Sequence, residues 1–409
     1  MQKYDAVICG AGPSGSTAAK YLADYGLKVA VLDKDTFPRD KPCGGALRPS
    51  IINEFPHVKE GILKIPHTKC FRAKMYPPSL ENVMDYNPNK VILYNIQRKH
   101  FDMMLVNYAK DAGAHLLENE NVKKIIPKSG GFALQTASGL EVEGKVIIGA
   151  GGMHDPVAKY LRKKEGLSEK WPESDIGLAM VEEFEVDDDY IVDIYGNERT
   201  CYFHLKPDNL FGYAWTFSKK NALNIGYGAF WKDMKNVEIK TQFSDYVKFL
   251  KKKELIPKNL ESKKPKGAPI PLRGPIKTTY SDNILIIGDS AGFVSPIGGD
   301  GIYYAMSSGK IAADTVKDAV TNDSFGKNSL QSYQQRWHDL WGKDLEVLCY
   351  FADIVFKKTE QIFKYAKRDL IFQKLAVALY NGERRASDIK SKIQRRAARN
   401  FLLYDVLRR

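Results

Sequence analysis

Two glycine-rich segments, far apart in the chain, have the residue types and spacing that hold phosphate groups and negative charge. The first, residues 10–15, reads Gly-Ala-Gly-Pro-Ser-Gly after an apolar run. Gly10 permits a tight turn, Gly12 lets the backbone approach a pyrophosphate, and Gly15 allows a helix to pack closely on the preceding strand. The N-terminus of that helix offers free N–H groups and a favourable dipole to phosphate. A dinucleotide site is therefore expected at this turn.

The second glycine-rich segment, residues 288–302, indicates which dinucleotide is bound. Asp289 follows an apolar run, and its carboxylate can accept hydrogen bonds from ribityl hydroxyls. The helix that begins at Ile302 can stabilise negative charge on a reduced isoalloxazine ring. Asp33, about twenty residues beyond the first turn, suits a ribose hydroxyl. Because NAD-binding proteins lack the second segment, the two segments together predict FAD as the cofactor.

These segments require strands and helices that present them. The hydrophobic pattern predicts an α/β fold (α+β overall), in which a Rossmann-type FAD-binding domain is interleaved with an antiparallel-sheet substrate domain and followed by C-terminal helices. Strands are expected at 4–9, 29–32, 114–117, 142–148 and 284–287, and helices at 16–25, 101–112 and 302–313. The predicted boundaries are 1–50, 91–154 and 270–328 for the FAD-binding domain, 51–90 and 155–269 for the substrate domain, and 329–409 for the helical region.

The composition narrows the classes of protein and partner. Five scattered cysteines, and seven histidines without metal-ligand spacing, argue against a disulfide framework and a metal site. No apolar run is long enough for a membrane span and a strand begins at once, so a cytoplasmic protein is expected. The net charge of +13 suits an anionic membrane surface or an acidic protein, and without a recognised motif it does not predict nucleic acid as a partner. A merely lysine-rich composition explains the charge equally well.

Two further segments carry side chains that could contact a flavin and its substrate. Residues 41–47 read Lys-Pro-Cys-Gly-Gly-Ala-Leu, and residues 213–217 read Tyr-Ala-Trp-Thr-Phe. Together with the Asp289 region they resemble the geranylgeranyl reductase family, part of the flavoprotein group that also contains the aromatic hydroxylases. The resemblance covers most of residues 1–345. It implies an FAD enzyme that reduces isolated C=C bonds in prenyl chains of archaeal ether lipids or chlorophyll precursors, although Ser218 replaces the family's usual proline.

The resemblance also implies roles for individual residues. Tyr213 and Trp215 point to one face of a strand, where the family binds the prenyl chain, although packing of the domain core would produce the same pattern. Arg98, just before the predicted helix 101–112, would face the FAD phosphates, and Val122 would lie beside the adenine. The predicted cofactor-binding residues are Gly10, Gly12, Gly15, Asp33, Cys43, Gly44, Ala46, Arg98, Val122, Asp289, Gly298, Gly299, Gly301 and Ile302.

Cys43 is the predicted catalytic residue. The resemblance places its loop beside the flavin ring, where a thiol could donate the proton that completes C=C reduction. A structural contact and a redox-sensitive thiol are the alternatives. The electron donor stays open between ferredoxin, a deazaflavin and NADPH. Gly151-Gly152 stands where related flavoproteins commonly have Asp-Gly, an acid associated with nicotinamide use, although Asp155 could compensate.

The C-terminal segment is basic and amphipathic. It could rest on an anionic bilayer at the inner face of the cell membrane, where a lipid substrate is presented, or it could dock on the protein itself. Its cations are Arg384, Arg385, Lys390, Lys392, Arg395, Arg396, Arg399, Arg408 and Arg409, and its apolar residues are Ile389, Ile393, Phe401, Leu402, Leu403, Val406 and Leu407.

Three functions compete on this sequence. The first is FAD-dependent reduction of a geranylgeranyl chain in membrane ether-lipid biosynthesis. The alternative is an FAD-dependent monooxygenase of the aromatic-hydroxylase type, which shares the fold and both glycine-rich segments but lacks the 41–47 and 213–217 motifs. A non-catalytic prenyl-lipid carrier with a purely structural flavin is the third. The two motifs favour the reductase.

Overall fold

The computed structural model describes residues 3–406, whose strands form three sheets of eight, seven and three strands. The mixed α/β architecture with C-terminal helices confirms the predicted fold class. The strands are β1 (Lys3–Cys9), β2 (Val29–Leu32), β3 (Ala46–Leu47), β4 (His67–Cys70), β5 (Ala73–Tyr76), β6 (Met84–Tyr86), β7 (Leu93–Ile96), β8 (His115–Leu117), β9 (Val122–Lys128), β10 (Gly131–Thr136), β11 (Glu141–Gly149), β12 (Ile176–Glu185), β13 (Cys201–Leu205), β14 (Gly212–Lys219), β15 (Ala222–Phe230), β16 (Lys266–Pro271), β17 (Tyr280–Ser281) and β18 (Ile284–Ile286). The α-helices are α1 (Pro13–Asp24), α2 (Pro49–Glu54), α3 (Pro56–Gly61), α4 (Arg98–Asp111), α5 (Pro156–Lys164), α6 (Asp188–Tyr195), α7 (Ile239–Lys252), α8 (Ile302–Thr321), α9 (Lys327–Trp337), α10 (Lys343–Lys357), α11 (Thr359–Arg368), α12 (Leu370–Asn381) and α13 (Ala386–Phe401).

The eight-stranded sheet is the Rossmann-type core of the molecule. Five parallel strands lie in the order β18-β11-β1-β2-β8, and β9, β10 and β17 extend the sheet through antiparallel pairs. All four residues of β2 are buried, as are the last four residues of β1. Parallel strands buried on both faces need continuous apolar runs rather than alternation, which is why these strands are recognisable in the sequence.

Helices α1 and α8 pack against each other and bring the two glycine-rich segments together. A Cβ atom on Gly309 of α8 would lie 2.4 Å from the carbonyl oxygen of Ser14, at the start of α1. A Cβ atom on Gly288 would lie 2.8 Å from the Ser14 hydroxyl oxygen. A larger residue at Gly309 would force the two helices apart, and one at Gly288 would push the turn after β18 away from the start of α1. Residues 10–15 and 288–302 therefore share one edge of the sheet, where the carboxyl ends of β1 and β18 lie.

The seven-stranded sheet has the order β16-β12-β15-β14-β13-β5-β6. Its strand pairs are antiparallel except for β13 with β5, which run parallel. Because β5 comes from a much earlier segment of the chain, no hairpin dictates its direction. Helix α7 covers one face of this sheet with Phe243, Val247 and Leu250. The small sheet β3-β7-β4 completes the set, and β3 directly follows the loop that contains Cys43.

The C-terminal helices show that the basic, amphipathic segment divides into two parts. Helix α13 packs against α10 and α12 and buries Ile389 and Ile393, which are 2% and 7% exposed. Phe401, Leu402 and Val406, at the end of the segment, are each about half exposed. The first part thus docks on the protein, whereas the end presents apolar side chains to solvent.

Two sequence predictions concern the membrane. Within residues 3–406, no helix has the combination of length and apolarity that crossing a bilayer requires. The predicted membrane-facing residues Leu407, Arg408 and Arg409 lie outside the described residues.

Some helix boundaries differ from the predicted ones. Helix α1 begins at Pro13 rather than at residue 16, since proline is favoured at the first helical position. The prediction that Arg98 precedes its helix is wrong: α4 begins at Arg98, which pairs with Asp102 one turn later. Helix α5 packs on β9, β11 and β18 of the Rossmann-type sheet, although its residues fall within the predicted substrate segment. The domain boundaries stay a prediction.

Candidate active site

A cavity of about 640 Å³ is lined by residues from both larger sheets. Its walls include the turn after β1, the loop before β3, the second glycine-rich segment and one face of β14. The predicted site residues that line it are Gly10, Gly12, Asp33, Cys43, Gly44, Arg98, Val122, Tyr213, Trp215, Asp289, Gly299, Gly301 and Ile302. Three predicted contacts do not line it: Gly15, Ala46 and Gly298.

The first glycine turn has one residue with free space at its Cβ position and two whose Cβ positions are blocked. Gly10 has φ +106°, and a Cβ atom there would lie 2.6 Å from the carbonyl oxygen of Ala150. A Cβ atom on Gly15 would lie 1.9 Å from the carbonyl oxygen of Gly10. At Gly12 the nearest atom to such a Cβ would be Nη2 of Arg39, at 3.8 Å. The backbone at Gly12 therefore faces open space. Gly10 and Gly15 instead allow the helix and the strand to pack in close contact.

Asp33 lies where β2 ends, with its carboxylate held against the glycine turn. Oδ2 accepts a hydrogen bond from the Ala11 N–H at 2.7 Å, and Oδ1 accepts one from the Asp35 N–H at 2.9 Å. An ionised carboxylate has about four acceptor positions, so acceptor capacity is left for a ribose hydroxyl. The two backbone bonds fix its orientation in advance.

Two arginines share one buried carboxylate at the cavity wall. Arg98 binds Asp102 through Nε and Nη2 at 2.7 and 2.8 Å. Burial opposes the charged form of Arg98, but the charge of Asp102 and the contact with Cys43 outweigh burial and raise its pKa. Nη1 of Arg39 lies 3.3 Å from the same carboxylate and its Nε lies 3.6 Å from Oδ2 of Asp35, yet both nitrogens are buried without a hydrogen bond. Arg39 is thus the arginine with donors to spare near Gly12.

The second glycine-rich segment places a carboxylate and a helix start on the cavity wall. Asp289 follows β18 in a short 3-10 turn, and burial raises its pKa against the opposing charges of Lys41 and Arg98. A Cβ atom on Gly301 would lie 3.0 Å from Oδ1 of Asp289. Helix α8 begins at Ile302 without a side-chain cap. Its first N–H groups are therefore free to stabilise negative charge.

The loop that contains Cys43 is fixed on several sides. Its Sγ accepts a weak hydrogen bond from the Gly45 N–H at 3.4 Å, and its carbonyl oxygen accepts one from Nδ2 of Asn224 at 3.1 Å. A Cβ atom on Gly44 would lie 2.8 Å from the ring of Phe217. The loop therefore lies directly on strand β14, and Cys43 interacts with Arg98 and lines the cavity.

Four aromatic side chains form a stripe on the cavity face of β14 and the residue before it. The stripe comprises Phe211, Tyr213, Trp215 and Phe217, which alternate along the chain and so share one face. The Tyr213 hydroxyl donates to the Gly298 carbonyl at 2.6 Å, and Nε1 of Trp215 donates to Oδ1 of Asn224 at 2.8 Å. Because both polar atoms are engaged, the cavity meets apolar ring surface. At 3.3 Å per residue the stripe is about 20 Å long.

Asp155 does not compensate for the acidic residue that is absent at Gly151-Gly152. Its carboxylate caps α5, accepting hydrogen bonds from the N–H groups of Ala158 and Gly151, both at 2.7 Å. Burial raises its pKa to about 6, despite the backbone hydrogen bonds that lower it. Asp155 supports the Gly151-Gly152 loop from beneath and is absent from the cavity wall.

The donors and acceptors of the cavity fit FAD. A pyrophosphate suits the open backbone at Gly12, the uncapped start of α1 and the Arg39 N–H groups that make no hydrogen bond. Asp33 lies at this polar end. Asp289 and the start of α8 lie further along the cavity. The carboxylate of Asp289 suits ribityl hydroxyls, and the helix N–H groups suit a flavin ring that carries negative charge. Residues 3–340 match the FAD binding domain family. The fold and the cavity thus define an FAD-dependent oxidoreductase.

Similar proteins narrow this class further. An uncharacterized protein of Methanosarcina barkeri is 33% identical over 341 residues, with 82% of this chain and 80% of that protein covered. Digeranylgeranylglycerophospholipid reductase 1 of Methanosphaera stadtmanae is 31% identical over 376 residues, with 88% and 86% covered. A geranylgeranyl bacteriochlorophyll reductase-like protein of Thermoplasma acidophilum has the same fold, with a TM-score of 0.79 at 22% identity over 90% and 92% of the chains. This chain belongs to the geranylgeranyl reductase family.

Sequence reasoning missed three residues of the site: Arg39, Asn224 and Phe356. Arg39 lies two residues before the 41–47 motif, so a basic residue near a predicted phosphate site could have been noticed. Asn224 interrupts an apolar strand, a signal that a buried polar residue has a partner. Phe356 lines the cavity from α10, and no local pattern connects that helix to the site.

Proposed function

We propose that this protein reduces C=C bonds of a geranylgeranyl chain carried by a membrane ether lipid. The observation that carries the proposal is the aromatic stripe of β14, which runs from the Cys43 loop toward the surface as part of one cavity with the FAD-binding turn. An extended apolar chain lying along this stripe brings one of its double bonds to the Cys43 end. The name of the Methanosphaera relative, a digeranylgeranylglycerophospholipid reductase, supports the same substrate class.

The residues of this chain divide the work between orientation and proton transfer. FAD held by the two glycine-rich segments and Asp289 would, in its reduced form, supply a hydride for one alkene carbon. The Cys43 thiol gives its proton to the other carbon, and water from the solvent then restores the proton on sulfur. Arg98 lies beside the sulfur, so the negative charge left on Cys43 has a cation next to it. Tyr213 and Trp215 hold the chain, which an unactivated alkene requires, since reactivity here depends on alignment.

The test of this proposal is direct. Protein loaded with FAD and reduced with dithionite is mixed without oxygen with a digeranylgeranylglycerol phospholipid, and the lipid is analysed by mass spectrometry. The expected product is heavier by two hydrogens for each reduced bond. An unchanged lipid would count against reduction, and oxygen uptake with hydroxylated product would favour the monooxygenase instead.

We also propose that the end of α13 and the residues after it contact the membrane from which the lipid is taken. Phe401, Leu402 and Val406 are exposed next to a cationic helix, an arrangement that suits an anionic bilayer. Co-sedimentation with vesicles that contain phosphatidylglycerol, compared with vesicles of phosphatidylcholine alone, tests this contact. Equal recovery in both pellets, or in neither, would argue against it.

For the electron donor, we propose ferredoxin or a deazaflavin ahead of NADPH. The Gly151-Gly152 loop lines the cavity without an acidic side chain, because Asp155 is engaged in capping α5. Bleaching of the oxidised flavin under nitrogen distinguishes the donors. Rapid bleaching by NADPH alone would overturn the preference.

A further inference from the structure

The two ends of the aromatic stripe differ in what lies beside them. Trp215 and Phe217, at the inner end, contact the loop of Cys43 through Gly44. Phe211, at the outer end, is half-buried and lines the cavity. A chain lying along the stripe therefore has its reacting part near Cys43 and its other end at Phe211.

Three phenylalanines from separate segments of the chain form a cluster at the outer end of the stripe. Phe356 of α10 stacks on Phe211, with ring centroids 5.9 Å apart, and meets Phe230 edge-on at 6.0 Å. Phe230 is the last residue of β15, so the cluster joins the sheet to the C-terminal helices. All three side chains line the cavity. The outer end is therefore apolar at its centre.

Cations surround this apolar centre. The ammonium groups of Lys206 and Lys232 lie 5.5 and 5.7 Å from the centroid of the Phe211 ring. The guanidinium of Arg273 lies 4.8 Å from the centroid of the Phe230 ring. Lys357, next to Phe356 in the chain, acts electrostatically on Asp353, as Lys232 and Arg273 also do. These four residues, Lys206, Lys232, Arg273 and Lys357, are named the cationic rim.

Three of the carboxylates near the rim have partners of their own, whereas Oδ2 of Asp233, beside Lys232 in the chain, is buried without a hydrogen bond. Asp353 accepts a hydrogen bond from Arg273 at 2.8 Å, and that bond chiefly lowers its pKa. Glu173 pairs with Lys235 at 2.8 Å, and Asp208 accepts a hydrogen bond from the Tyr227 hydroxyl at 3.0 Å. Within the described part of the chain, no carboxylate lies within 4.0 Å of the ammonium groups of the three rim lysines. Three positive charges of the rim are thus available to an anion.

The loop that carries Lys206 is held in an uncommon backbone conformation. Lys206, Asp208 and Asn209 have φ angles of +50°, +53° and +61°. Such left-handed conformations cost about 1 kcal/mol or more for residues other than glycine. The surrounding structure therefore maintains a loop that places a lysine near the ring of Phe211, which lines the cavity.

We infer that the cationic rim binds the phosphate of an anionic prenyl lipid whose hydrocarbon chain occupies the aromatic stripe. This inference rests on the proposed function, because it assigns the headgroup of that same substrate. Lysine binds phosphate as a point charge, and the apolar centre accepts the first carbons of the chain. Holding the headgroup at a fixed place sets how far the chain reaches toward Cys43, and so which double bond is reduced.

The experiment compares two short ligands on FAD-loaded protein by titration calorimetry: farnesyl phosphate and farnesol. The wild-type protein should bind farnesyl phosphate about tenfold more tightly, which is what two exposed ion pairs supply. The double variant Lys206→Gln/Lys232→Gln should lose most of that preference and leave the affinity for farnesol unchanged. Lys206→Arg/Lys232→Arg should retain it.

The matched control removes the same charge elsewhere on the same domain. Lys248→Gln/Lys252→Gln, on α7, should bind both ligands as the wild type does. Should the double rim variant fold poorly, the single variant Lys232→Gln, at an exposed position, carries the same test with a smaller effect. Equal binding of the two ligands by the wild type, or a preference that persists without the lysines, would overturn the inference.

Two further outcomes separate this inference from others. If inorganic phosphate alone binds as tightly as farnesyl phosphate, the rim recognises free phosphate and the lipid assignment is wrong. The calorimetry requires no turnover, so a failed reduction assay with an intact preference for farnesyl phosphate would overturn the proposed function and not the rim.

Discussion

The two ends of the cavity are built by different means. At the polar end, contacts come from backbone groups: the turn at Gly12, the uncapped start of α1 and the hydrogen bond from Ala11 that fixes Asp33. At the aromatic end, they come from side chains of β14, β15 and α10, which are distant in sequence. A site made of backbone tolerates little change at its glycines, whereas a site made of side chains can be altered one contact at a time. The predictions that follow depend on this difference.

The largest effect is expected at the polar end, for Gly15→Ala. The added Cβ atom would lie 1.9 Å from the Gly10 carbonyl oxygen, so the turn must open and flavin binding should be lost. The ratio of flavin to protein absorbance in the purified protein measures the loss. Gly26→Ala is the control, since a Cβ atom there meets nothing within 4 Å. It should cost about 1 kcal/mol for its positive φ and keep the flavin. A yellow Gly15→Ala protein would refute the backbone account.

At the junction of the two ends, Cys43→Ser should abolish turnover without releasing the flavin. A positioned proton donor contributes about 100-fold or more to rate, so lipid reduction should fall at least that far. Single-turnover oxidation of the reduced flavin by the lipid measures the rate. Cys349→Ser, outside the cavity wall, is the control and should react normally. Retention of more than half the rate by Cys43→Ser would assign the thiol a structural role.

At the aromatic end, Asn224→Leu should act through two of the three groups that Asn224 holds, the third being Oε1 of Glu183. The change leaves Nε1 of Trp215 and the carbonyl oxygen of Cys43 without their partner. Each unsatisfied buried group costs about 1–3 kcal/mol of unfolding free energy. Misalignment of Cys43 and the substrate chain should also lower kcat about tenfold.

The control for that variant separates alignment from stability. Asn95 is as deeply buried and donates to the Ser218 carbonyl and the Cys201 sulfur, neither of which is a reacting group. Asn95→Leu should therefore destabilise the protein to urea to a similar extent while kcat per folded molecule stays near wild type. Equal loss of kcat in both variants would reduce Asn224 to a structural residue.

The smallest expected effect is the pH dependence of the unfolding free energy that arises from the buried His204. Burial lowers the pKa of His204 from 6.5 to about 4. Between those values the unfolded chain binds a proton that the native state does not, so the unfolding free energy falls as the pH falls through this window. The loss is at most about 3 kcal/mol at pH 4. Urea unfolding at pH 7 and pH 5 measures it, and His204→Gln should show a smaller loss. An equal loss in the variant would place the effect elsewhere, for example at His57, whose pKa burial also lowers to about 4.

The sequence by itself determined the polar end. Gly10, Gly12, Gly15 and Asp33 act through a local βαβ unit, where turn, helix start and strand end lie within a short stretch of chain. The apolar runs at β1, β2, β11 and β18 predicted the parallel sheet, because strands buried on both faces have no polar positions. The family resemblance added the motifs at 41–47 and 213–217, and both lie on the cavity.

The tertiary structure decided the aromatic end and the partners of individual side chains. Arg98 is engaged with Asp102, Arg39 has the spare donors, and Asp155 caps a helix. Phe356 reaches the cavity from a helix that no local pattern links to it. The physical reason is the range of the interactions. Backbone turns and strand burial depend on neighbours in sequence, whereas the choice of ion-pair partner and the closure of an apolar cavity depend on which distant elements pack together.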